Sequence, residues 1–415
     1  MRDRAVDALV VGAGPVGLTM AAELVRHGVR CCIVERAAER TDKSKALVLW
    51  PRSLELLGTA GAVEPFLRAG IRAIGAQIHA EGRQLARLNV TGIASPYRFA
   101  LMIPQSETER LLEAHLAQLG VKVERRVELV DFAADDEGVR ARVRAVDGAG
   151  ETLRADWLIG CDGAHSTVRH GLGIDFAGAA EPNDWILADL HVDGDLPADE
   201  LRLELHADGI LAFFPIGPQR YRIIADVGPS AASDRPADPT LAEVQALVDR
   251  RGPGGLALRD PIWLAGFRIN ERKVDHYRFG RVLLAGDAAH VHSPAGGQGM
   301  NTGMQDAFNL AWKLGLVVSR RGRADVLLDS YSAERSAVGD EVLRNAGAMT
   351  RLGTLRAPAA QHLRNRIMPL LASLGVVQAK AGELLTELAI HYRQSALSRD
   401  DRGLSLRARA LAGGG

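Results

Sequence analysis

Cysteine is scarce in this chain, and so are aromatic residues and any surplus of charge. Three cysteines stand among 415 residues, too few for a disulfide framework. Two of them, Cys31 and Cys32, are adjacent in a segment patterned as a strand. Neighbouring strand residues face opposite sides, so they read as small apolar residues and not as a redox pair. Such usage fits a reducing, cytoplasmic setting. Lys plus Arg number 51 and Asp plus Glu number 51. The arginines are dispersed, so no global field draws the chain to nucleic acid or to a membrane. No apolar run reaches the roughly 20 residues of a spanning helix. No signal peptide is expected, since Met1-Arg2-Asp3-Arg4 leads straight into a strand interrupted by Asp7. His290 and His292 lack the Cys or acidic company of a zinc site, so no metal is expected. Ser166 lacks the Gly-x-Ser-x-Gly setting of a hydrolase nucleophile.

What the chain does have begins at its N-terminus. Val10-Val11-Gly12-Ala13-Gly14-Pro15-Val16-Gly17 leaves an apolar strand and enters a helix, and Val34-Glu35-Arg36 closes the next strand. Gly12 permits the tight turn, Gly14 lets backbone approach a pyrophosphate, and Gly17 brings helix close to strand. The helix N-terminus offers free N–H groups and the positive end of its dipole. Glu35 can accept the ribose hydroxyls. The pattern is that of a dinucleotide-binding βαβ unit.

The chain is long enough for two or more domains. Strands are expected over Asp7–Val11 and Arg30–Glu35, with a helix over Val16–His27 that stops at Gly28. A helix over Pro51–Leu57 follows a loop, and short strands fill Ile71–Met102. A helix after Pro104 carries a capping-box pattern, Ser106 with Glu109. Strands follow over Val121–Phe132, Val139–Asp147 and Thr152–Ile159. Between Ile174 and Trp263, alternation over Trp185–Val192, Leu201–His206, Ile210–Phe214 and Tyr221–Val227 predicts a sheet with one wet face. Gly228–Pro239 reads as a surface loop. Arg281–Gly286 reads as a buried parallel strand, Asn301–Ser319 as a long helix, the region after Tyr331 as helical, and Leu404–Gly415 as a frayed tail.

Two further turns carry chemistry. In Trp157-Leu-Ile-Gly160-Cys161-Asp162-Gly163-Ala164-His165-Ser166-Thr167-Val168-Arg169, a strand ends in a carboxylate and a short helix follows. Asp162 can serve a cofactor or simply cap that helix. In Gly286-Asp287-Ala288-Ala289-His290, another strand ends in a carboxylate. Pro294, Ala295 and Gly296-Gly297-Gln298-Gly299-Met300-Asn301 then open a helix. A carboxylate at a strand end can hold a polyol, and the glycines with a helix N-terminus suit phosphate or an electron-rich ring carbonyl.

With these three fingerprints in order, the chain resembles the class A flavoprotein aromatic monooxygenases, the p-hydroxybenzoate hydroxylase-like family, in its polyketide and phenol hydroxylase branch. The resemblance spans roughly residues 5 to 345. It implies an α/β fold: a Rossmann-like FAD-binding domain, an inserted mostly antiparallel substrate-binding sheet and a C-terminal helical segment. The expected boundaries are 1–173 for the FAD domain, with 71–103 contributing to the substrate region, 174–265 for the sheet, 266–345 for the FAD domain resumed, and 346–415 for helices and tail.

The resemblance also implies the site. Gly12, Gly14, Pro15, Val16, Gly17, Glu35 and Arg36 would hold the ADP half, with Val127 at the adenine. Asp162 would lie near the cofactor and Asp287 on the ribityl O3′. Pro294 would touch the isoalloxazine, Gly297, Gly299, Met300 and Asn301 would cradle its pyrimidine end, and Gln105 would touch FAD. Lys45 stands where the family often has arginine; it keeps the charge and loses the planar fork.

The implied reaction is hydroxylation of an aromatic substrate by NAD(P)H and dioxygen through a flavin C4a-hydroperoxide, with no side chain assigned as catalyst. Trp185, Leu211, Phe213, Pro294, Ala295 and Gly296 are candidates for the substrate floor. Phe213 and Phe214 are neighbours in a strand, so one faces the core and the other a cavity. A monomer or weak homo-oligomer is expected, without the thioredoxin-like C-terminal domain of longer relatives. No tryptophan forms the Trp-x-Trp of a flavin halogenase, and a plain NAD dehydrogenase leaves Asp162 and Asp287 unexplained. A non-catalytic FAD protein sequestering an aromatic intermediate, epoxidation and Baeyer–Villiger oxidation stay open.

Overall fold

The computed structural model describes residues 4–41, 44–145, 148, 150–230 and 236–398. The expected end of the strand at Asp147, residues 231–235 of the surface loop and the Leu404–Gly415 tail lie outside them. Ten helices are described: α1 (Pro15–Arg26), α2 (Pro51–Thr59), α3 (Val63–Ala69), α4 (Gln105–Gln118), α5 (Thr167–Gly171), α6 (Leu241–Arg251), α7 (Gly299–Val318), α8 (Ala324–Gly353), α9 (Pro358–Ala372) and α10 (Gly375–Leu385). Among the described residues, no helix is long and apolar enough to cross a membrane.

The first sheet runs in the order Arg278–Phe279, Val282–Leu284, Gly150–Gly160, Arg4–Val11, Cys31–Glu35, Glu124–Arg125. Its central pairs are parallel. Ala8, Leu9 and Val10 are fully buried, as a strand covered on both faces requires. Cys31 is half-buried and Cys32 buried, consistent with opposite faces. Gly28 takes φ +77° just after α1, the left-handed step that ends a helix at low cost. An antiparallel ribbon, Val127–Ala134 with Val139–Ala145, grows from the Gly150–Gly160 strand.

One local expectation fails. The α4 helix begins at Gln105 behind Pro104, and Ser106 does not cap it. Proline already sets the entry backbone (φ −57°). The Gln105 N–H is received by Ser44 Oγ at 2.7 Å, from 61 residues away. Glu109 instead accepts Gln105 Nε2–H at 2.8 Å.

The second sheet has eight strands, ordered His290–Val291, Ala257–Lys273, Ala177–Asp193, Arg220–Pro229, Gly209–Gly217, Glu200–His206, Gly75–Ala80, Arg83–Asn89. Among the described residues its single parallel pair joins Glu200–Glu204 to Gly75–His79. One face (Ile186, Ala188, Leu190, Leu211, Phe213, Ile223) packs on Val244, Leu247 and Val248 of α6. The other face was expected to be wet. Instead Phe214 and Ile216 on it meet a cluster formed by Leu47, Val48, Trp50, Ala73, Ala100 and Met102.

Candidate active site: three strand-end turns around one cleft

The three turns meet. Gly12 stands at φ +99°, and a Cβ there would fall 2.5 Å from Cys161 O and 2.8 Å from Asp162 Cα. A Cβ on Gly17 would lie 1.9 Å from Gly12 O, and one on Gly286 would lie 2.7 Å from Val16 Cγ2. Only glycine permits these approaches. Arg169, buried, donates from Nη1 to Ala288 O at 3.1 Å and from Nη2 to Ala164 O at 2.8 Å. Its guanidinium lies over Phe176, 3.9 Å from the ring centroid. The Asp162 and Asp287 turns, far apart in sequence, are thereby tied together.

The candidate ADP residues cluster at the first turn. Glu35 Oε2 accepts Ala13 N–H at 2.8 Å and Oε1 accepts Ala37 N–H at 2.8 Å, which fixes the carboxylate beside the glycines. Arg36 is exposed. Arg126 N–H reaches Ala37 O at 3.3 Å, and this brings Val127 next to the same loop. Around Gly14 there is open space where a Cβ would stand, room that a phosphate can fill. Among the described residues no side chain caps α1 or α7. Both helices therefore present bare first-turn N–H groups.

Asp162 does cap α5: Oδ1 accepts Ser166 Oγ–H at 2.5 Å and Oδ2 accepts Val168 N–H at 3.1 Å. Burial pushes its carboxyl up, against these hydrogen bonds. Asp287 differs. It is exposed on one side, and among the described residues none hydrogen-bonds its carboxylate. Protein crowds it on its other sides, so burial pushes its carboxyl up while His290 and Lys45 pull it down. An unpartnered carboxylate hemmed in this way suits a polyol ligand.

Asn301 spends its side chain on protein: Oδ1 accepts Trp50 N–H at 2.9 Å, and Nδ2 donates to Val48 O at 2.9 Å and Gly297 O at 3.0 Å. What remains free at Gly299, Met300 and Asn301 is backbone. Gly297 (φ +63°) packs so closely that a Cβ would meet Val48 Cγ1 at 2.4 Å, and Trp50 Nε1–H donates to Gly296 O at 2.9 Å. Pro294 is exposed and Ala295 half-buried, its N–H reaching Ser293 Oγ at 3.2 Å.

Gln105 Oε1 accepts Ala46 N–H at 3.0 Å, so it shapes the segment that carries exposed Lys45. A residue missed in the sequence finishes that work. Arg222, fully buried, pairs with Asp189 through two contacts of 2.7 Å and donates to Lys45 O at 2.7 Å and Ser44 O at 2.5 Å. The only signal was an arginine and an aspartate on neighbouring apolar strands. Asp306 was missed as well. It accepts Gly286 N–H at 2.9 Å, His290 Nε2–H at 2.9 Å and Arg335 Nε–H at 2.6 Å. Burial alone would raise its carboxyl, but Arg335 and His290 hold it below the usual range. Burial drives His292 down to about 4, so its ring is neutral. Among the described residues no three His, Cys, Asp or Glu side chains cluster as metal ligands.

The substrate-floor expectation needs correction at Leu211 and Phe213. Both point into the core against α6. Period-two alternation turns Phe214 the other way, toward Leu47, Val48 and Trp50. Trp185 lies on the face away from α6, stacked on Phe267 at 6.3 Å, and its buried indole N–H finds no partner among the described residues.

The fold and the cleft define a flavoprotein built on a Rossmann-like domain. The chain belongs to the FAD binding domain family, whose model matches residues 5–346. It is 39% identical over 407 residues to 6-methylpretetramide 4-monooxygenase of Streptomyces rimosus, covering 94% of this chain and 70% of that protein. Among solved structures it resembles OxyS anhydrotetracycline hydroxylase from Streptomyces rimosus, with TM-score 0.80, 33% identity, and 94% and 77% of the two chains covered. It also resembles aklavinone-11 hydroxylase solved with FAD and aklavinone, with TM-score 0.75, 30% identity, and 87% and 71% covered. The chain is a FAD-dependent monooxygenase of the aromatic-hydroxylase group. The residues present fit that cofactor: an open phosphate turn at Gly14, a fixed Glu35, an unpartnered Asp287 and a bare α7 N-terminus.

Proposed function

We propose that this protein hydroxylates a flat, electron-rich aromatic of the phenolic or polyketide type, consuming NAD(P)H and dioxygen. FAD, when bound, supplies the redox and oxygen-activating chemistry. The chain's own residues bind, orient and shield. Gly12, Gly14 and Gly17 with the first turn of α1 would receive the phosphates, Glu35 would take the ribose hydroxyls, and Val127 would stand beside the adenine. Asp287 accepts from the ribityl chain. Backbone N–H groups at Gly299–Asn301 would serve the pyrimidine end, since a helix N-terminus stabilises negative charge. Lys45, held through Arg222 and Gln105, keeps a cation at the cleft. We place the aromatic substrate between Pro294–Gly296 and the Phe214 face of the second sheet, where the neighbouring side chains are apolar and suited to exclude water.

The observation that carries this reading is the meeting of three turns around one cleft with an unpartnered Asp287. The compounds for which the relatives are named, 6-methylpretetramide and anhydrotetracycline, are polycyclic and favour a polycyclic ligand. The test is NAD(P)H oxidation and oxygen uptake by the FAD-loaded protein across phenols, anthraquinones and polycyclic polyketides. The expected result is substrate-stimulated oxidation with a product heavier by one oxygen atom. A flavoprotein that binds such aromatics without stimulated oxidation would instead be a sequestering protein.

A further inference from the structure

The family match stops at residue 346, yet the chain beyond it returns to the glycine loop. Leu384 O accepts Gln298 Nε2–H at 2.9 Å, and Thr386 O accepts Arg52 N–H at 3.4 Å. Glu387 accepts Thr302 Oγ–H at 3.0 Å and Gln305 Nε2–H at 2.6 Å, and it is 1% exposed. Its backbone is left-handed, φ +59°, a conformation a glutamate holds only when surrounding contacts impose it. Thr302 and Gln305 belong to the first turns of α7, the helix whose N-terminus faces the cofactor cleft.

Between these anchors stands Leu385. A Cβ on Gly296 would lie 3.6 Å from Leu385 Cδ2 and 2.8 Å from Met349 Cε. Leu385 also joins the cluster of Val48, Trp50 and Met102, to which Phe214 and Ile216 of the second sheet contribute. One side chain from outside the family-matched segment therefore sits where the glycine loop, the 47–50 segment and the substrate-facing sheet meet. We propose that Leu385 is a specificity-determining wall of the aromatic pocket and that Glu387 is the positioning residue holding it against Gly296. This rests on the aromatic-oxygenase reading above. The volume at position 385 then sets how wide a ring system fits and how well water is kept from the flavin.

The test uses the full chain loaded with FAD and two readouts. The first is iodide quenching of bound-FAD fluorescence, which needs no substrate. The second is the Kd for aklavinone and for anhydrotetracycline. Leu385→Ala is expected to raise the quenching constant about twofold, and Leu385→Trp to weaken aklavinone about tenfold, with FAD content unchanged in both. Glu387→Ala is expected to match the quenching of Leu385→Ala, and Glu387→Gln, which keeps an acceptor for Thr302, to restore it. Val376→Ala, at an 82% exposed position of α10, is expected to behave as wild type. Quenching and Kd at wild-type values in both Leu385 variants overturn the proposal, as does an equal change in Val376→Ala. A wild-type chain that fails to hold FAD, or holds it and binds neither aromatic, overturns the functional reading instead. In the FAD-holding case, quenching alone still decides the wall.

Discussion

Arg222 and Asp189 form a buried ion pair, 1% and 9% exposed at their side chains, whose second task is to hold the Ser44 and Lys45 carbonyls. Removing one member leaves the other charge buried, so Arg222→Met is expected to cost about 3–5 kcal/mol in chemical denaturation. The double variant Arg222→Met with Asp189→Leu removes that penalty and is expected to recover most of the stability. It still frees the 44–46 segment, so its FAD affinity stays below wild type; full recovery of both properties would contradict the positioning role. Glu387 yields a pH prediction. Burial lifts its carboxyl from 4.5 to about 8, with Asp306 adding to the rise and Thr302, Arg335 and Gln305 opposing it. A pKa higher in the folded than in the unfolded chain means stability is full below about pH 4.5 and is lost as pH climbs through about 8. The melting temperature of wild type relative to Glu387→Gln should therefore decline between these limits; a constant difference would remove Glu387 as its source. These residues were illegible in the sequence for one reason. Arg222, Asp306, Arg335 and Glu387 act through partners tens to hundreds of positions away, and no spacing rule encodes such pairs.

At the scale of elements, the glycine turn separates two roles that one motif conceals. Gly17 has no room for a methyl group, whereas Gly14 opens onto free space. Gly17→Ala is expected to destabilise the apoprotein by about 2 kcal/mol or more through that clash. Gly14→Ala should leave apoprotein melting nearly unchanged while weakening FAD, because its methyl group would enter the space proposed for the phosphate. Equal melting losses in the two would contradict this division. Elements with strong local signals were readable: the first βαβ unit, the strand before Asp287 and the helix after Asn301. Where a distant group replaced a local one, reading failed, as when Ser44 and Pro104 took over the start of α4 from Ser106. Alternation also revealed that Phe213 and Phe214 face apart, but not which side held α6, since that depends on how the sheet is covered.

For the whole molecule, the parallel sheet places three strand ends at one edge, and glycine at 12, 17 and 286 lets them close to contact. The second sheet packs on the 47–50 segment beside these turns, and the chain beyond residue 346 bonds to the first turns of α7. That the three turns would meet was legible from their order and their strand-end positions. The closing wall was not, because Leu385 has no motif and is defined only by what it touches. These turns are proposed to hold a single FAD, with Asp287 given to the ligand and not to the fold. The decisive experiment titrates the apoprotein with FAD, following flavin fluorescence, in wild type and Asp287→Ala. One FAD per chain is expected, bound about tenfold more weakly by the variant through loss of a charged hydrogen-bond acceptor, with apoprotein melting unchanged. Equal FAD affinity in the two proteins would contradict it.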